Sequence, residues 1–239
     1  MRHLLNTLFV TSEDIYLSLD GENVVASRKQ QELARYPLHT LTGILSFSYS
    51  GASPALMGAC AKRGVSLAFC TPQGRFLARV SGEASGNVLL RRTQYRTADD
   101  PGPSCRIARS MIFGKVFNAR WSVERTRRDH RLRVDDTVLA KASAQMKDLL
   151  PQIAAETDQD SLRGLEGAQA TAYFRIFDQL ILGEKPLFSF QNRSRRPPLD
   201  PVNALLSFAY SLLAHDCAAA LESVGLDAYV GFLHRDRPG

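Results

Sequence analysis

The spacing of apolar residues changes near residue 87, and this change constrains the fold more than any other feature of the chain. Before it, short apolar runs alternate with turn residues, as in 15–19 and 23–27 on either side of Asp20-Gly21, a pattern typical of β-hairpins. After it, apolar residues recur at helical spacing from Ile107 to Ile153. The sequence therefore predicts an α+β protein with a β-sandwich-like N-terminal domain followed by an all-α domain.

Turn-forming, helix-breaking and helix-capping residues divide the chain further. We predict a β-rich domain over 1–85, a linker region over 86–103 that includes the breaker Asp99-Asp100-Pro101-Gly102-Pro103, and an α-helical domain over 104–239. One helix is expected within the β-rich part, at 53–64, because it has a serine cap, a proline in its first turn and a glycine stop.

Composition excludes several classes of protein. The chain is 44% hydrophobic and 23% charged, which argues against disorder. The four cysteines form no C-x-x-C pair, so we expect core thiols rather than disulfides or a zinc site. No secretory signal is visible, and the apolar stretch 201–221 is interrupted by Asn203, His215 and Asp216. It reads as a buried helix, so we predict a cytoplasmic protein without a membrane contact.

The net charge points to a polyanionic partner. Thirty basic residues against twenty-four acidic ones give +6 at pH 7, and nucleic acid is the first such partner to test. Charge alone does not decide the partner, because moderately basic proteins that bind no nucleic acid are common.

Glu166 is the first candidate site residue. It lies between Gly164 and Gly167 within a helical pattern, and Tyr173 follows two turns later on the same face. Two glycines so close together are costly in a helix, which suggests a close backbone approach or ligand access beside the carboxylate. The alternative is a surface glutamate near a helix start, where the helix dipole favours a negative charge.

A basic loop and a polar helix face form the second candidate. Arg193, Arg195 and Arg196 precede two prolines, which predicts either a stiff loop suited to phosphates or a merely soluble one. Asp200 then caps a helix on which three polar residues share a face, namely Asn203, Ser207 and Tyr210. Since leucines fill the opposite face, we expect a nearly enclosed helix whose polar face lines a site or an internal polar network, and we favour the site.

The third candidate is His234, at the end of a glycine-punctuated apolar run. A lone histidine of this kind is more often a core residue than a ligand. Taken with the other segments, however, it makes the chain similar to a known family. The motifs that carry the resemblance are Gly86-Asn87-Val88-Leu89-Leu90-Arg91-x-x-Gln94, Glu166-Gly167, Arg193-x-x-Arg196-Pro197-Pro198, Asp200-Pro201-x-Asn203 and Gly231-Phe232-x-His234.

In order and spacing these motifs resemble the CRISPR-associated protein 1 family. The segments 4–8 and 18–23 look most like the subtype of type I-C systems. The resemblance implies an N-terminal β domain and a C-terminal α domain, with Glu166 and His234 as catalytic residues that bind Mg²⁺ or Mn²⁺. It also implies six DNA-binding residues: Arg193, Arg196, Asn203, Ser207, Tyr210 and Tyr173.

The family's third metal ligand is an acidic residue in a helix beyond the histidine. This chain stops at Gly239 and Asp236 lies too near His234 to take that position. We therefore expect a chain truncated at its C-terminus, with its α domain incomplete.

The function implied by the resemblance is a metal-dependent DNA endonuclease and integrase that inserts new spacers into a CRISPR array. The implied partners are double-stranded DNA (prespacer and CRISPR repeat), a second copy bound through the β domain to make a homodimer, and a small second CRISPR adaptation protein. The alternative is a catalytically impaired fragment that binds DNA and dimerises but lacks the third ligand. An RNA-binding module is ranked last, because no RNA-recognition signature is present.

Overall fold

The computed structural model describes residues 6–82 and 87–234, and within them the chain forms two compact units. Unit 1 takes in the described part of Met1–Val88 together with Phe208–Ala228. Unit 2 takes in Leu89–Ser207 together with the described part of Tyr229–Gly239.

Unit 1 is built on two sheets and a helix. In chain order its elements are β1 (Thr7–Val10), β2 (Tyr16–Asp20), β3 (Asn23–Arg28), β4 (Gln31–Pro37), β5 (Gly43–Ser46), α1 (Pro54–Arg63), β6 (Ser66–Cys70) and β7 (Phe76–Val80). One sheet has the order β1-β5-β6-β7, with the first three strands parallel and β7 antiparallel to β6. The other is the antiparallel sheet β2-β3-β4.

Helix α1 joins the parallel strands β5 and β6, as such a crossover requires. The side chain of Ser53 accepts a hydrogen bond from the Leu56 N–H at 3.2 Å, and Gly64 ends the helix at φ +67°, so the predicted start and stop are confirmed. Both sheets and α1 share one core, which includes Leu17, Val24 and Leu56, each fully buried. Burial of these side chains is the main stabilising contribution in this unit.

Two hairpin details differ from the prediction. Asp20 pairs with Asn23, so the turn is at Gly21-Glu22 rather than at Asp20-Gly21. Strand β4 was not predicted at all. It follows β3 through Lys29 and Gln30, whose φ values of +47° and +68° are left-handed. Turns of this kind usually carry Asn-Gly, so the residues here give no sequence signal.

Unit 2 is helical. Its elements are α2 (Val88–Asp99), α3 (Pro101–Asp129), α4 (Asp136–Ala155), α5 (Gln159–Leu180) and the first turns of α6 (Pro201–Ser223), the rest of which belongs to unit 1. Helices α3, α4 and α5 enclose a core that includes Val116, Leu139 and Leu162. Strands in the N-terminal part and helices in the C-terminal part confirm the predicted α+β class.

The predicted linker region 86–103 contains a helix, except that Gly86 lies outside the described residues. Helix α2 runs to Asp99, and Asp100 caps α3 by accepting a hydrogen bond from the Gly102 N–H at 3.0 Å. The breaker therefore separates two helices instead of forming a long loop. The division into a dimerisation domain and a metal- and DNA-binding domain stays a prediction.

Helix α6 is not the buried helix that we predicted. Its buried residues are Val202 and Asn203, whereas Leu205 and Leu213 are more than half exposed. Among the described residues it is the helix long and apolar enough to cross a membrane, and the window that meets this test is not buried. One such helix is weak evidence for a membrane span, and one side of α6 packs on strands through Phe208 and Leu212.

The thiols are mostly where we predicted them. Cys60, Cys70 and Cys105 are buried, and burial raises the pKa of the Cys60 thiol to about 11. Cys217, on α6, is exposed, which contradicts the expectation of a core thiol for this residue. The reason is again that α6 is not enclosed.

Candidate active site

Helix α5 carries Glu166 in its second turn. The helix starts at Asp158, whose carboxylate accepts a hydrogen bond from the Ser161 N–H at 2.7 Å, and this hydrogen bond lowers the pKa of Asp158. A Cβ atom built at Gly164 or Gly167 would meet no described atom within 4 Å. No described part of the chain therefore approaches either glycine closely, so close backbone approach does not explain the two glycines.

Glu166 is paired with a cation that the sequence analysis did not single out. The ammonium of Lys115, on α3, contacts the Glu166 carboxylate. The Glu166 side chain is 24% exposed and that of Lys115 is 48% exposed, so the pair lies at the surface and is open to solvent. The carboxylate thus has the Lys115 ammonium as its cationic partner, and any metal ion would have to replace it.

The chain segment that ends at His234 is fixed to the same helix. Arg163 donates a hydrogen bond to the Leu233 carbonyl at 2.7 Å, and Gln159 donates one to the Phe232 carbonyl at 2.9 Å. Ser104, on α3, donates to the Phe232 carbonyl as well, at 2.8 Å. Since Arg163 precedes Glu166 by three residues, the backbone next to His234 lies against the turn of α5 that leads to Glu166. His234 itself is exposed.

The described residues contain no group of three His, Cys, Asp or Glu side chains that could hold a metal ion. Asp236, which the sequence analysis rejects as the third ligand, lies outside the residues that the structure describes. A carboxylate and an imidazole are nevertheless suitable donors for Mn²⁺ or Mg²⁺. The assignment of Glu166 and His234 as ligands remains a prediction.

Arg193 organises a polar network at the start of α6. Its guanidinium donates to the Asn203 side-chain oxygen at 2.8 Å and to the Ser207 hydroxyl at 3.1 Å. The Asn203 amide in turn donates to the Asn192 carbonyl at 2.8 Å. Asp200 caps α6, as predicted, by accepting from the Asn203 N–H at 2.7 Å. Asn203 is fully buried, so this part of the polar face forms the internal network that we had considered as the alternative.

The other predicted DNA-binding residues lie in different surroundings. Arg196 is exposed, and so is its neighbour Arg195. Tyr210 is 54% exposed on α6. Tyr173 is half-buried against Phe174 and Phe177, with ring centroids 5.8 and 5.6 Å away.

Sequence reasoning missed the residues that position the candidates. Lys115 is 51 positions from Glu166, and Ser104 is 128 positions from Phe232. A lysine and a serine inside a long helix carry no local signal for such contacts. Arg163 had one usable signal, because it lies one turn from Glu166 on the same helix.

Comparison with known proteins gives a consistent picture. The model of the family described as CRISPR associated protein Cas1 matches residues 8–239. A curated relative from Chlorobaculum tepidum, named CRISPR-associated endonuclease Cas1 1, is 48% identical over 239 residues, which cover all of this chain and 70% of the relative.

Two solved structures are similar to the whole chain. A casposase bound to integration product has a TM-score of 0.73 at 22% identity, covering 98% of this chain and 66% of that one, and it supports the fold. A partial Cas6-RT-Cas1–Cas2 complex has a TM-score of 0.61 at 26% identity, covering 97% of this chain and 68% of that one.

Proposed function

Because the chain belongs to the CRISPR-associated Cas1 family, we propose that it is a metal-dependent DNA endonuclease and integrase that inserts new spacers into a CRISPR array. Membership of this family confirms the resemblance found in the motifs. The type I-C subtype and the truncation at the C-terminus stay predictions; of the subtype segment 4–8, residues 4 and 5 lie outside the described part of the chain.

The observation that carries the proposal is the position of Glu166. Its side chain is partly exposed, it accepts a cation in its contact with Lys115, and its helix anchors the backbone next to His234. We assign Glu166 and His234 as ligands of Mn²⁺ or Mg²⁺. When bound, such an ion stabilises the negative charge that develops on a phosphate during phosphoryl transfer.

The remaining candidates act on the DNA or on the loop that faces it. We assign Arg196 to the phosphates, because its guanidinium is exposed and suited to bidentate phosphate contacts. Arg193, Asn203 and Ser207 are assigned a positioning role, because their polar atoms already hold the loop 192–200 against α6. Tyr173 and Tyr210 are assigned as further contacts to DNA.

We further propose four properties that the family resemblance implies. The DNA partners are a double-stranded prespacer and the CRISPR repeat. The chain forms a homodimer through unit 1. It also binds a small second adaptation protein, and the similarity to a partial Cas6-RT-Cas1–Cas2 complex supports this second partner. It acts in the cytoplasm without a membrane contact.

The test compares variants of the two proposed ligands. Glu166→Ala and His234→Ala should each lower Mn²⁺-dependent cleavage of a branched DNA by at least about 100-fold. Removing a residue that only hydrogen-bonds to a metal ligand lowers activity by about 10- to 100-fold, and removing the ligand itself should lower it further. DNA affinity, measured by gel shift without metal, should change little. Matched controls are Glu184→Ala and His130→Ala, which remove the same groups elsewhere in unit 2. Cleavage by both ligand variants at the wild-type rate would refute the assignment.

The alternative function is a DNA-binding and dimerising protein without catalysis. It is favoured by one observation, the lack of a three-residue metal group among the described residues. The two proposals separate in a single assay. Under the alternative, the unmodified chain binds DNA but shows no cleavage that depends on added Mn²⁺, and the ligand variants behave like wild type.

A further inference from the structure

Helix α3 carries a row of exposed aromatic side chains that the proposed active site does not use. Phe113, Phe117 and Trp121 follow one another every four residues and are 37%, 41% and 50% exposed. Their ring centroids are 6.5 and 6.0 Å apart along the helix. We call these three residues the aromatic stripe. Four-residue spacing keeps them on one face, away from the buried residues Ile112 and Val116.

Arginines extend the stripe toward the end of α3. The Arg120 guanidinium lies 5.7 Å from the centre of the Trp121 ring, within the range of a cation–π contact. Arg125 and Arg128 line a groove of about 480 Å³ next to Trp121, together with Glu124. Their side chains are 79% and 71% exposed.

The local charge favours an anionic partner. Between residues 120 and 136 the chain carries six arginines and four carboxylates. Arg125 and Arg128 both pair with Asp129, at 3.6 and 2.8 Å. Ion pairs as exposed as these contribute little stability, so a phosphate can replace the aspartate at small cost.

We propose that the aromatic stripe, with Arg125 and Arg128, binds single-stranded DNA. Bases stack on the rings of Phe117 and Trp121, and phosphates pair with the two guanidiniums. Aromatic rings interleaved with arginines are how proteins bind single strands without sequence preference. The choice of DNA rests on the proposed function; the surface itself fits any single-stranded nucleic acid.

A duplex fits this surface poorly. In a double helix the faces of the bases are covered by their neighbours, so the rings of the stripe have nothing to stack on except at an end. Arginines alone would bind a duplex through its phosphates. The stripe therefore distinguishes unpaired strands, such as the overhanging end of a DNA substrate, from paired ones.

Trp121 makes the proposal directly measurable, because it is the single tryptophan of the chain. A single-stranded DNA 12-mer is titrated in EDTA at low salt while Trp121 fluorescence is recorded. Stacking of a base on the indole should quench the emission to a plateau. The matching 12-bp duplex should bind at least about tenfold more weakly or leave the emission unchanged.

The variants test both parts of the surface. Phe117→Leu keeps an apolar side chain of similar size but removes the ring, and it should weaken binding of the single strand by about five- to a hundredfold. Arg128→Gln should weaken binding and reduce its dependence on salt. The matched controls are Tyr49→Leu, an aromatic residue 65% exposed in unit 1, and Arg28→Gln, an exposed arginine paired with Asp14. Both controls should bind like wild type.

Several results would overturn the proposal. These are a Trp121 emission that does not respond to the 12-mer, wild-type affinity in Phe117→Leu, and at least tenfold tighter binding of the matching RNA 12-mer. Emission that shifts with protein concentration instead of DNA would assign the stripe to a second copy of the chain. Because the titration contains no metal, its failure leaves the proposal for Glu166 and His234 untouched, and loss of that proposal leaves the titration interpretable.

Discussion

At the scale of single residues, the Glu166 carboxylate is the central group of the proposed site, and its contact with Lys115 affects what it can bind. A lysine ammonium and a divalent metal ion compete for the same carboxylate oxygens. Since both side chains are partly exposed, water screens the ion pair and keeps it weak. A metal ion at this carboxylate would therefore displace the lysine at modest cost.

Replacing Lys115 tests this competition. If Glu166 is a metal ligand, Lys115→Met should lower the Mn²⁺ concentration at half-saturation by up to about fivefold, the equivalent of an exposed ion pair of about 1 kcal/mol. Mn²⁺ binding is followed by the shift of the thermal unfolding midpoint, which needs no DNA or activity.

Lys62→Met is the control, because it makes the same charge change on α1 in unit 1. Equal Mn²⁺ affinity in Lys115→Met, Lys62→Met and the wild-type chain would show that the lysine does not compete with metal.

The residue pattern nominated Glu166 and Arg193, and the family resemblance added His234, but neither could define the surroundings of these residues. The sequence left open whether Asn203 and Ser207 line a site or form an internal network. That choice depends on where the Arg193 guanidinium points, which is fixed by the path of the loop 192–200. No sequence pattern identifies the residue that a side chain contacts across a loop.

At the scale of elements, capping residues made some boundaries predictable and their absence hid others. Ser53, Gly64 and Asp200 marked the ends of α1 and the start of α6 correctly, because each acts on its own backbone neighbours. Strand β4 was missed because its turn has neither asparagine nor glycine. Here pairing between β3 and β4 imposes the left-handed backbone on Lys29 and Gln30.

This turn offers a stabilising substitution. Lys29→Asn together with Gln30→Gly introduces the residues that tolerate positive φ at both turn positions, and we expect the free energy of unfolding to rise by about 1 kcal/mol. Urea denaturation followed by circular dichroism measures it. The reference variant is Gly21→Ala, which places a β-carbon on a residue with φ +58° and should destabilise. A double variant that is no more stable than wild type would contradict the strain at this turn.

At the scale of the whole molecule, the chain leaves unit 1 at residue 88 and returns to it at 208. The returning half of α6 packs His215 against Phe76, with ring centroids 3.7 Å apart, while Glu222 pairs with Arg79. Burial, and to a lesser extent the charge of Arg79, lowers the pKa of His215 despite the opposing charge of Asp216. The sequence could not show this, since it placed the strands and the last helix in separate domains.

The stability of unit 1 should consequently depend on pH. Because folding lowers the pKa of His215, the folded chain resists a proton that the unfolded chain accepts near pH 6.5. Stability is fully present above that pH and is lost as the pH falls toward the lower pKa of the folded state. Thermal unfolding by circular dichroism between pH 7.5 and 5.5 should show this loss, and His215→Gln should flatten it.

His39→Gln is the control, because His39 is exposed in the same unit. Fluorescence of Trp121 reports unit 2 in the same samples and should be less sensitive over this range. Parallel pH curves for wild type and His215→Gln would show that the imidazole does not set the dependence.

The anchoring of residues 232 and 233 has a consequence for how the candidate site tolerates mutation. Ser104, Gln159 and Arg163 grip carbonyl oxygens, which every amino acid supplies. Substitutions at 232 and 233 therefore keep these hydrogen bonds and change only side-chain packing. The position of this backbone depends instead on three donor side chains on α3 and α5. The backbone next to the proposed ligand His234 is therefore held by three residues that are not themselves proposed ligands.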